Sequence, residues 1–589
     1  MRKLSLLINA LSYLSPRQIY FIFFNKLIKG KFNSIYVYFF SKFTTKPANV
    51  HFDDVKKRLN QLLGDDNIWQ TGITEPNNEH HYYHELKQNI KSFAGNNNLD
   101  TFLNSWNIPT EDVELNYNYQ RFYLFSEAFE DLKVPDEKRI KLIIAWVENN
   151  ENKKLAWTGF NCAIRLINWI RIIYSCQSSS MLEENWAVIL QSIYQQHKYN
   201  SSNIEHHIPG NHVLFQYYSM WLISLLFKEW FTRGNEENIL TKLVDEFDME
   251  FLNSGLHFEL STHYHLQITL VGLYVYSHLF NLNKSIPELL INIINRSVKV
   301  VNTVLLGKYY PLIGDGCYCF FHKNTDEDLA NLNNLLNKLK ISVPSDEMIS
   351  NVDDTYLIIS SKCFKTIFDV GEIGLKQNPG HGHADTLSIL IGYKNSPVFI
   401  DPGTKRYTNS PEDLTFKRTN HHNTVGVGNY DQATLWGFFR WAFIPKIISS
   451  NIIQQSDNSI LLHGKFEGFY EIGGITHERE IEISDEEVII TDKLEGKLEN
   501  FIQISFILHP EVKIVKNDGK NLIITNSGTV ELREQSDITG ALNVSDLNIY
   551  ESYNSPIQSK KLTFTYKIND KSCFNSKISL KVFNQFNEI

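Results

Sequence analysis

Two histidines and an aspartate alternate in a glycine-rich stretch, GHGHADTLSI, that ends in an apolar run. His381, His383 and Asp385 occupy every second position. Because alternate residues of an extended chain share a face, we expect these side chains to point the same way at the start of a buried strand. Imidazole and carboxylate groups are zinc ligands and proton carriers, so the pattern predicts a metal or other functional site. Asp385 fits a turn or an outer position around that site better than a direct role.

Further polar residues follow the next predicted strands. VFIDPGT places Asp401 at a strand end, and RTNHHNTVGVG brings His421 and His422 before another apolar alternation. Ligands from separate strands would let one metal ion hold the sheet together, and zinc suits two imidazoles better than calcium does. The alternative is that each polar group caps a turn or satisfies buried backbone.

The first half of the chain contains its own polar cluster. The segment GLHFELSTHYHLQ gathers His257, Glu259, His263, Tyr264 and His265 within otherwise apolar helical sequence. So many polar groups in such a setting predict the wall of a cleft, although Tyr264 alone could be a core tyrosine.

Asn211 follows Pro209 and Gly210, where a loop gives way to a predicted helix. At that position an asparagine is either a functional group or simply the helix N-cap.

Two regimes of hydrophobic periodicity position these residues. Up to about residue 345 the patterns are helical, as in NHVLFQYYSMWLISLLFKEWF, and helix follows helix with short connectors. This predicts helix pairs stacked in a toroid, an incomplete α/α barrel. From about residue 353 short segments alternate with period two, which predicts an antiparallel β-sandwich. The predicted division of this multidomain α+β chain is a helical extension over 1–50, the toroid over 51–345 and the sandwich over 346–589.

Composition limits the function. The chain of 589 residues is 42% hydrophobic and 21% charged, which is typical of a soluble globular protein. A net charge of −9 without a long basic run argues against nucleic-acid binding, but a local basic groove for a polyanion remains compatible with it. Six cysteines without a CxxC pair indicate buried thiols rather than a disulfide framework. No apolar run is long enough to predict an integral membrane span.

The N-terminal stretch MRKLSLLINALSYLSPRQIYFIFF has a basic start and an interrupted apolar segment. It favours an amphipathic helix over an export signal, since no small-residue cleavage site follows. We expect a periplasmic protein if this is an unusual export signal and a cytoplasmic one otherwise.

Three groups of motifs resemble the heparinase II/III-like family of polysaccharide lyases. They are GHGHADTLS with FIDPGTKRY, then FKRTNHHNTVGV, and PGNHVLFQYYSMW with GLHFELSTHYH in the helical half. Their order extends over most of the chain. The resemblance implies an α/α toroid followed by an antiparallel sandwich, and an enzyme that breaks uronic-acid polysaccharides by β-elimination. The partner is then an anionic polysaccharide.

The resemblance also implies residue roles. Asn211 would neutralise the substrate carboxylate with His212 beside it, and Tyr264 would be the general acid and also the base. His381 would act from across the cleft as base or carboxylate neutraliser. The ligands of a structural zinc ion in relatives that contain one would match His383, Asp401 and, directly before Asn-Thr-Val, His422 rather than His421. The side chains expected to contact substrate are Tyr407, Arg418, Arg165 and His265.

Several alternatives stay open at this point. Arg165 sits in an apolar helix, where pairing with a carboxylate competes with lining the groove, and Arg418 with Lys417 could belong to a solvated loop. Asp315, in PLIGDG, suits a turn before a sugar contact. A hydrolase would need paired carboxylates, for which Glu205 and Glu259 are candidates. A glycan-binding or assembly protein of a surface-polysaccharide pathway that retains structural zinc is the third possibility. The glycan, its linkage and the oligomeric state are not indicated.

Overall fold

A computed structural model describes residues 49–64, 81–96 and 112–583, with gaps at 151–153, 209, 317–318, 344–346, 376, 457–458, 499–500, 537, 539 and 569–571, and isolated positions 14, 16, 18, 19, 99, 102 and 106. The predicted extension over 1–50 and the boundary at 345/346 fall almost wholly outside these residues and stay predictions. Within them, no helix combines the length and apolar character needed to cross a membrane.

The first part of the described chain is helical. In chain order its helices are α1 (Phe52–Leu63), α2 (His81–Asn96), α3 (Val113–Gln120), α4 (Phe125–Asp131), α5 (Asp136–Asn150), α6 (Gly159–Ser175), α7 (Ser180–Glu184), α8 (Trp186–Ser202), α9 (Asn211–Leu226), α10 (Asn235–Glu250), α11 (Thr262–Asn281), α12 (Glu288–Thr303) and α13 (Thr325–Leu339). Helices α9 and α11 are buried on nearly every face, as their apolar sequences predict. Each packs between neighbours, α9 against α6 and α10, and α11 against α12 and α13. This is the predicted array of helix pairs.

The second part is built from antiparallel strands. They are β1 (Ile349–Val352), β2 (Tyr356–Ser360), β3 (Phe364–Asp369), β4 (Ile389–Tyr393), β5 (Ser396–Phe399), β6 (Val425–Val427), β7 (Thr434–Gly437), β8 (Arg440–Phe443), β9 (Lys446–Ser456), β10 (Ser459–Gly468), β11 (Ile475–Ser484), β12 (Glu487–Gly496), β13 (Phe501–Ile507), β14 (Lys513–Asn517), β15 (Lys520–Thr525), β16 (Gly528–Glu534), β17 (Ala541–Tyr550), β18 (Pro556–Lys567) and β19 (Cys573–Val582). A short helix, α14 (Pro411–Thr415), lies between β5 and β6.

These strands form layers around one core. One sheet has the order β1-β2-β3-β4-β5, a second β14-β15-β16-β19-β12-β11-β10-β9 and a third β17-β18-β13-β6, while β7 and β8 form a separate hairpin. Strand β11 alternates buried and half-buried residues along its whole length, which is the period-two pattern of its sequence. Apolar side chains of all three larger sheets share a single buried cluster. The predicted fold class, a helical toroid followed by an antiparallel sandwich, is confirmed.

Hydrogen bonds join the two parts at the toroid end that faces the first sheet. The Tyr356 hydroxyl of β2 donates to the Leu260 carbonyl at 2.8 Å, and the Ser254 amide donates to the Asp353 carboxylate at 2.9 Å. The Asp315 amide donates to the His381 carbonyl, also at 2.8 Å. The loops before α11 and after α12 therefore lie against the sandwich, and the predicted site residues come from both sides of this contact.

Candidate active site

A cavity of about 650 Å³ lies where the toroid meets the sandwich. Its toroid side includes Asn211, His212, Glu259 and Tyr264, and its sandwich side includes His381 and Tyr407. The four residues predicted from the sequence to be catalytic thus share one cavity, together with Tyr407. This grouping required the chain to fold, because the residues are up to 170 positions apart in the sequence.

The start of helix α11 sets the position of Tyr264. Ser261 is the N-cap, and its hydroxyl accepts from the Tyr264 amide at 3.3 Å while donating to the Asp315 carbonyl at 2.7 Å. The Thr262 hydroxyl donates to the Pro311 carbonyl at 2.6 Å. Capping and tertiary hydrogen bonds therefore fix the first turn of α11 to the segment that carries Asp315.

Tyr264 is enclosed among the groups with which it would act. Its hydroxyl lies 3.2 Å from the Tyr407 hydroxyl, and its ring centroid lies 4.2 Å from that of His381. Burial raises the pKa of Tyr264 well above its usual value, and the hydrogen bond with Tyr407 offsets this only in part. Tyr264 accordingly keeps its proton at neutral pH and is suited to donate it.

His381 ends a 3-10 turn, Pro379–His381, and its side chain is 15% exposed. Gly382 follows, and a side chain would not fit there, because a Cβ would lie 1.3 Å from the Ile373 carbonyl oxygen. The expected extended conformation is wrong at His381, which belongs to this turn, whereas the buried strand predicted to follow is present as β4 from Ile389. The expected convergence of the two histidines still occurs, because His381 and His383 bind the two oxygens of one carboxylate.

That carboxylate belongs to Asp315. Its oxygens lie 3.1 Å from His381 Nδ1 and 2.9 Å from His383 Nε2, and they accept from the Thr404 hydroxyl at 3.3 Å and from Lys417 Nζ at 3.1 Å. We call these five residues the Asp315 cluster. Burial alone would raise the pKa of Asp315, but Lys417 and both histidines hold it well below its usual value.

Two sequence interpretations change here. Asp315 is fully buried and serves as a shared acceptor, so it has no room to contact a sugar. Lys417 is equally buried, with Nζ also donating to the Gly380 carbonyl at 2.8 Å, so it does not meet a polyanion from a solvated loop. An ionised Asp315 accepts from His381 Nδ1–H, which leaves the lone pair on His381 Nε2.

Asn211 is the first residue of α9, and the N-cap is Gly210. The alternative that Asn211 is the N-cap is therefore wrong. Its side chain lines the cavity and makes no hydrogen bond with any part of the chain that the structure describes. A free amide donor in a cavity wall is available for a ligand.

His212 is held by two neighbours. Its Nδ1 lies 2.7 Å from Glu205 Oε2, and its ring stacks on Phe160 at 3.9 Å. Burial would raise the pKa of Glu205, but His212 and the Phe160 amide lower it below its usual value. Glu205 does not line the cavity, so a hydrolase pair of Glu205 with Glu259 lacks a shared site.

Glu259 is a polar group of the cavity wall to which the sequence gave no role in elimination. It is buried, and its Oε2 has no hydrogen-bond partner among the described residues. His257 Nδ1 lies 3.9 Å from that oxygen, and His257 Nε2 lies 3.0 Å from Glu250 Oε2. We call Glu250, His257 and Glu259 the Glu259 cluster.

Burial sets the protonation of the Glu259 cluster. It raises the pKa of Glu259 and of Glu250 and lowers the pKa of His257. Positive charge on His381 or His212 would oppose the shift at Glu259, while the charge of Asp315 adds to it. All three members are therefore driven toward their neutral forms.

His383, Asp401 and His422 form a buried group whose potential ligand atoms lie within 4.8 Å of one another. His383 Nε2 is taken by Asp315, and His383 Nδ1 is buried without a hydrogen-bond partner in the part of the chain that the structure describes. His422 Nε2 lies 3.0 Å from the Phe416 carbonyl, and its Nδ1 lies 2.8 Å from Asp401 Oδ2. Outer hydrogen bonds thus orient both rings with Nδ1 toward the shared point, and two imidazoles beside a carboxylate fit zinc.

His421, the neighbour of His422 in the sequence, packs its ring on Phe416 at 5.3 Å and is not a member of this group. The geometry therefore favours His422 as the ligand, in agreement with the motif. Burial raises the pKa of Asp385 above its usual value, and the nearby His422 and His383 offset this only in part.

Three side chains predicted to contact substrate lie elsewhere. Arg165 is fully buried and donates to Gln196 Oε1 and to the carbonyls of Gln120 and Ala156. His265 is also fully buried, between the His257 amide and the Ser297 carbonyl. Arg418 is 51% exposed, 3.7 Å from Asp431, and is not part of the cavity wall. We therefore leave all three out of the proposed substrate site.

Comparisons with known proteins agree with this architecture. The family model described as heparinase II/III N-terminus matches residues 80–337, and the one described as heparinase II/III-like, C-terminal matches residues 350–577. Comparison with curated protein sequences gives no match.

Solved structures share the fold over nearly the whole chain. A structure titled heparinase III is 14% identical, with a TM-score of 0.62 over 93% of this chain and 89% of that one. A mutant heparan sulfate lyase from Pedobacter heparinus is 14% identical, with a TM-score of 0.59 over 90% of this chain and 88% of that one. Identities this low show the fold alone, whereas the two family models together span most of the sequence. The chain belongs to the heparinase II/III-like family of polysaccharide lyases.

Proposed function

We propose that the protein cleaves a uronic-acid-containing glycan by β-elimination. The observation that carries the proposal is the meeting of an acid, a base and a free amide in one cavity, namely Tyr264, His381 and Asn211. Elimination needs a proton removed from C5 of the uronate, a proton delivered to the leaving oxygen, and stabilisation of the charge that develops on the carboxylate.

Each role follows from the surroundings of the side chain. The Asn211 amide donates to the uronate carboxylate, which makes the C5 proton more acidic. His381 Nε2 takes that proton, since Nδ1 is directed to Asp315. The C5 electron pair forms the C4–C5 double bond as the C4–O bond breaks, and Tyr264 protonates the leaving oxygen. Tyr407, 3.2 Å from the Tyr264 hydroxyl, orients it and can reach the sugar.

This assignment chooses between roles that the sequence left open. A tyrosine whose pKa is raised by burial is a poor base at rest, because little of it is ionised at neutral pH. We therefore assign Tyr264 as the acid and His381 as the base. His212 supports the Asn211 end of the cavity through its stacking on Phe160.

We propose further that His383, Asp401 and His422 hold a structural zinc ion, because their potential ligand atoms converge and His383 Nδ1 has no hydrogen-bond partner among the described residues. Zinc bound by two imidazoles and a carboxylate would fix the loops that follow β5 and precede β6. Through His383 it would also fix the Asp315 cluster and hence the orientation of His381.

The test is ultraviolet absorbance of the unsaturated uronate product. Purified protein is offered a panel of uronic-acid polysaccharides, including the surface glycan of its own source. We expect a rise in absorbance that falls about 10²- to 10⁴-fold in Tyr264→Phe, because one proton donor is lost. The matched control is Tyr276→Phe on the same helix, which lies outside the cavity and should retain activity.

Full turnover by Tyr264→Phe would exclude this mechanism. New reducing ends without unsaturation would indicate a hydrolase instead. Glycan binding without any product, unchanged by replacing Tyr264 or His381, would indicate a binding or assembly protein.

A further inference from the structure

A short hairpin places aromatic residues at the mouth of the cavity. It consists of β7 and β8, and its tip is Phe438 and Phe439. The hairpin is anchored on its inner side, where Phe438 is buried with its amide donating to Asn409 Oδ1 at 2.9 Å. Trp441 is buried too, and its indole N–H donates to the Pro379 carbonyl at 3.0 Å.

The outer side of the same hairpin is left uncovered. Trp436 is 37% exposed, Phe439 is 44% exposed, and both line the cavity. A hairpin with two well-buried aromatic anchors gains no stability from exposing two further large rings to water. Adjacent exposed aromatic side chains at a cavity mouth are typical of a surface that binds a ligand.

Arg440 adds a charge to this surface. Its guanidinium lies 5.8 Å from the centre of the Trp436 ring, is exposed and lines the cavity. Among the described residues no carboxylate forms an ion pair with it. Arg121, on the toroid side of the cavity, differs, because it is buried and already engaged by Glu114 and Asn161. Arg440 is thus a cation available to an anionic ligand.

The surface is continuous with the proposed reacting groups. The Phe439 ring lies 5.7 Å from the His381 ring and 5.4 Å from the Tyr407 ring. A glycan bound with one sugar at Tyr264 and His381 would therefore extend its next sugar over this hairpin. The weakly polar face of a pyranose suits an aromatic ring, and a guanidinium suits a carboxylate or sulfate.

We propose that Trp436 and Arg440 form a sugar subsite for a second, anionic pyranose of the same glycan, adjacent to the one whose bond is broken. The subsite rests on the proposed function, and it predicts a preference for longer chains. Phe439 connects the subsite to the reacting groups, so its replacement would disturb both.

The test compares steady-state kinetics on uronate oligosaccharides of increasing length. Trp436→Ala should raise KM about tenfold on long substrates and leave kcat within about twofold. The reason is that the lost stacking contact stabilises the bound substrate and the transition state equally. Arg440→Gln should do the same, and both variants should lose the gain in kcat/KM that wild type shows with length. Phe280→Ala removes another exposed ring, 51% exposed on α11, and should change neither parameter.

Two substrate series identify the anionic group. If Arg440→Gln raises KM on unsulfated chains, Arg440 binds a carboxylate, whereas an effect confined to sulfated chains assigns a sulfate. Unchanged KM on long chains for Trp436→Ala, or a fall in kcat alone, would overturn the subsite while leaving the elimination mechanism intact.

If wild type turns over no uronate glycan, the proposed function fails, and calorimetry with the same oligosaccharides decides the subsite separately. Weaker binding by Trp436→Ala than by Phe280→Ala would support it. Equal binding, or no binding to wild type, would overturn it.

Discussion

The Asp315 cluster and the Glu259 cluster each bury carboxyl and imidazole groups beside the same cavity, and they reach opposite electrostatic states. Asp315 receives two imidazoles, a hydroxyl and an ammonium group. Among the described residues, the only ion-pair partner of Glu259 is His257, at 3.9 Å, and Glu259 Oε2 accepts no hydrogen bond. The pKa of Asp315 is lowered while that of Glu259 is raised.

The difference shows that donors, rather than burial, decide the charge of a buried carboxyl group. Lys417 compensates the charge of Asp315 with a full positive charge. The Glu259 cluster has no such cation, because burial keeps its imidazole, His257, neutral. The two clusters also serve different purposes. The Asp315 cluster joins toroid to sandwich, while the Glu259 cluster lies within the toroid and leaves a neutral acid at the cavity wall.

The largest effect is expected from Asp315→Asn. The substitution keeps the shape of the side chain but leaves Lys417 as a buried, uncompensated charge, so the free energy of unfolding should fall by about 3–5 kcal/mol. Glu259→Gln is the same chemical change in the other cluster and is its control. Urea unfolding at pH 7 measures both, and equal losses in the two variants would contradict the distinction between the clusters.

The sequence predicts the fold well and the clusters poorly. Apolar helices such as α9 and period-two strands such as β11 can be predicted from the sequence, because the local pattern of apolar residues reflects burial. Arg165 and His265 were misassigned, since polar residues in apolar helices suggested a groove while they actually satisfy buried backbone and side-chain groups. Hydrogen bonds between residues far apart in sequence carry no local signal.

The Asp315 cluster shows that limit directly. Its members come from the loop after α12 and from three separate segments of the sandwich, and Lys417 reads in sequence as a solvated loop residue. The hairpin, by contrast, has a local signal in the sequence, since WGFFRW puts five aromatic or basic residues in six positions. A segment that short cannot bury them all.

Zinc binding provides the next test, because a metal ion on Nδ1 of His383 would explain why Nε2 of the same ring faces Asp315. We expect near-stoichiometric zinc by elemental analysis of wild type and a chelator-induced fall of several degrees in unfolding temperature. His383→Ala should lose the metal, and Asp315→Asn should weaken metal binding about 10–100-fold through loss of the outer hydrogen bond. His509→Ala, outside the group, should bind zinc as wild type does. If wild type refolded in the presence of zinc contains no zinc, the proposed metal site is wrong and Asp315 alone orients His383.

A smaller effect is expected from Gly210→Ala, which acts on the Glu259 cluster without removing any of its groups. Gly210 has φ +117°, and a Cβ there would lie 2.2 Å from Glu259 Oε1. Backbone strain should cost about 1–3 kcal/mol, and displacement of Glu259 should add to it. Glu259→Ala removes the oxygen that the new Cβ would approach, so the loss caused by Gly210→Ala in that background is the backbone contribution alone. Equal losses from Gly210→Ala in the wild-type and Glu259→Ala backgrounds would show that Glu259 moves aside freely.

The smallest effect is expected in the pH dependence of the unfolding free energy of Glu259→Gln, which tests the comparison of the two clusters directly. Burial raises the pKa of folded Glu259, so above about pH 4.3 the unfolded chain releases this proton while the folded chain keeps it. Wild-type stability therefore falls as pH rises from the unfolded pKa to the folded pKa, by about 1.4 kcal/mol for each unit between them. Glutamine cannot ionise, so the variant should gain on wild type from pH 4 to pH 7 in urea unfolding. A variant that instead loses ground over this range would mean that folded Glu259 is ionised, and that the Glu259 cluster resembles the Asp315 cluster after all.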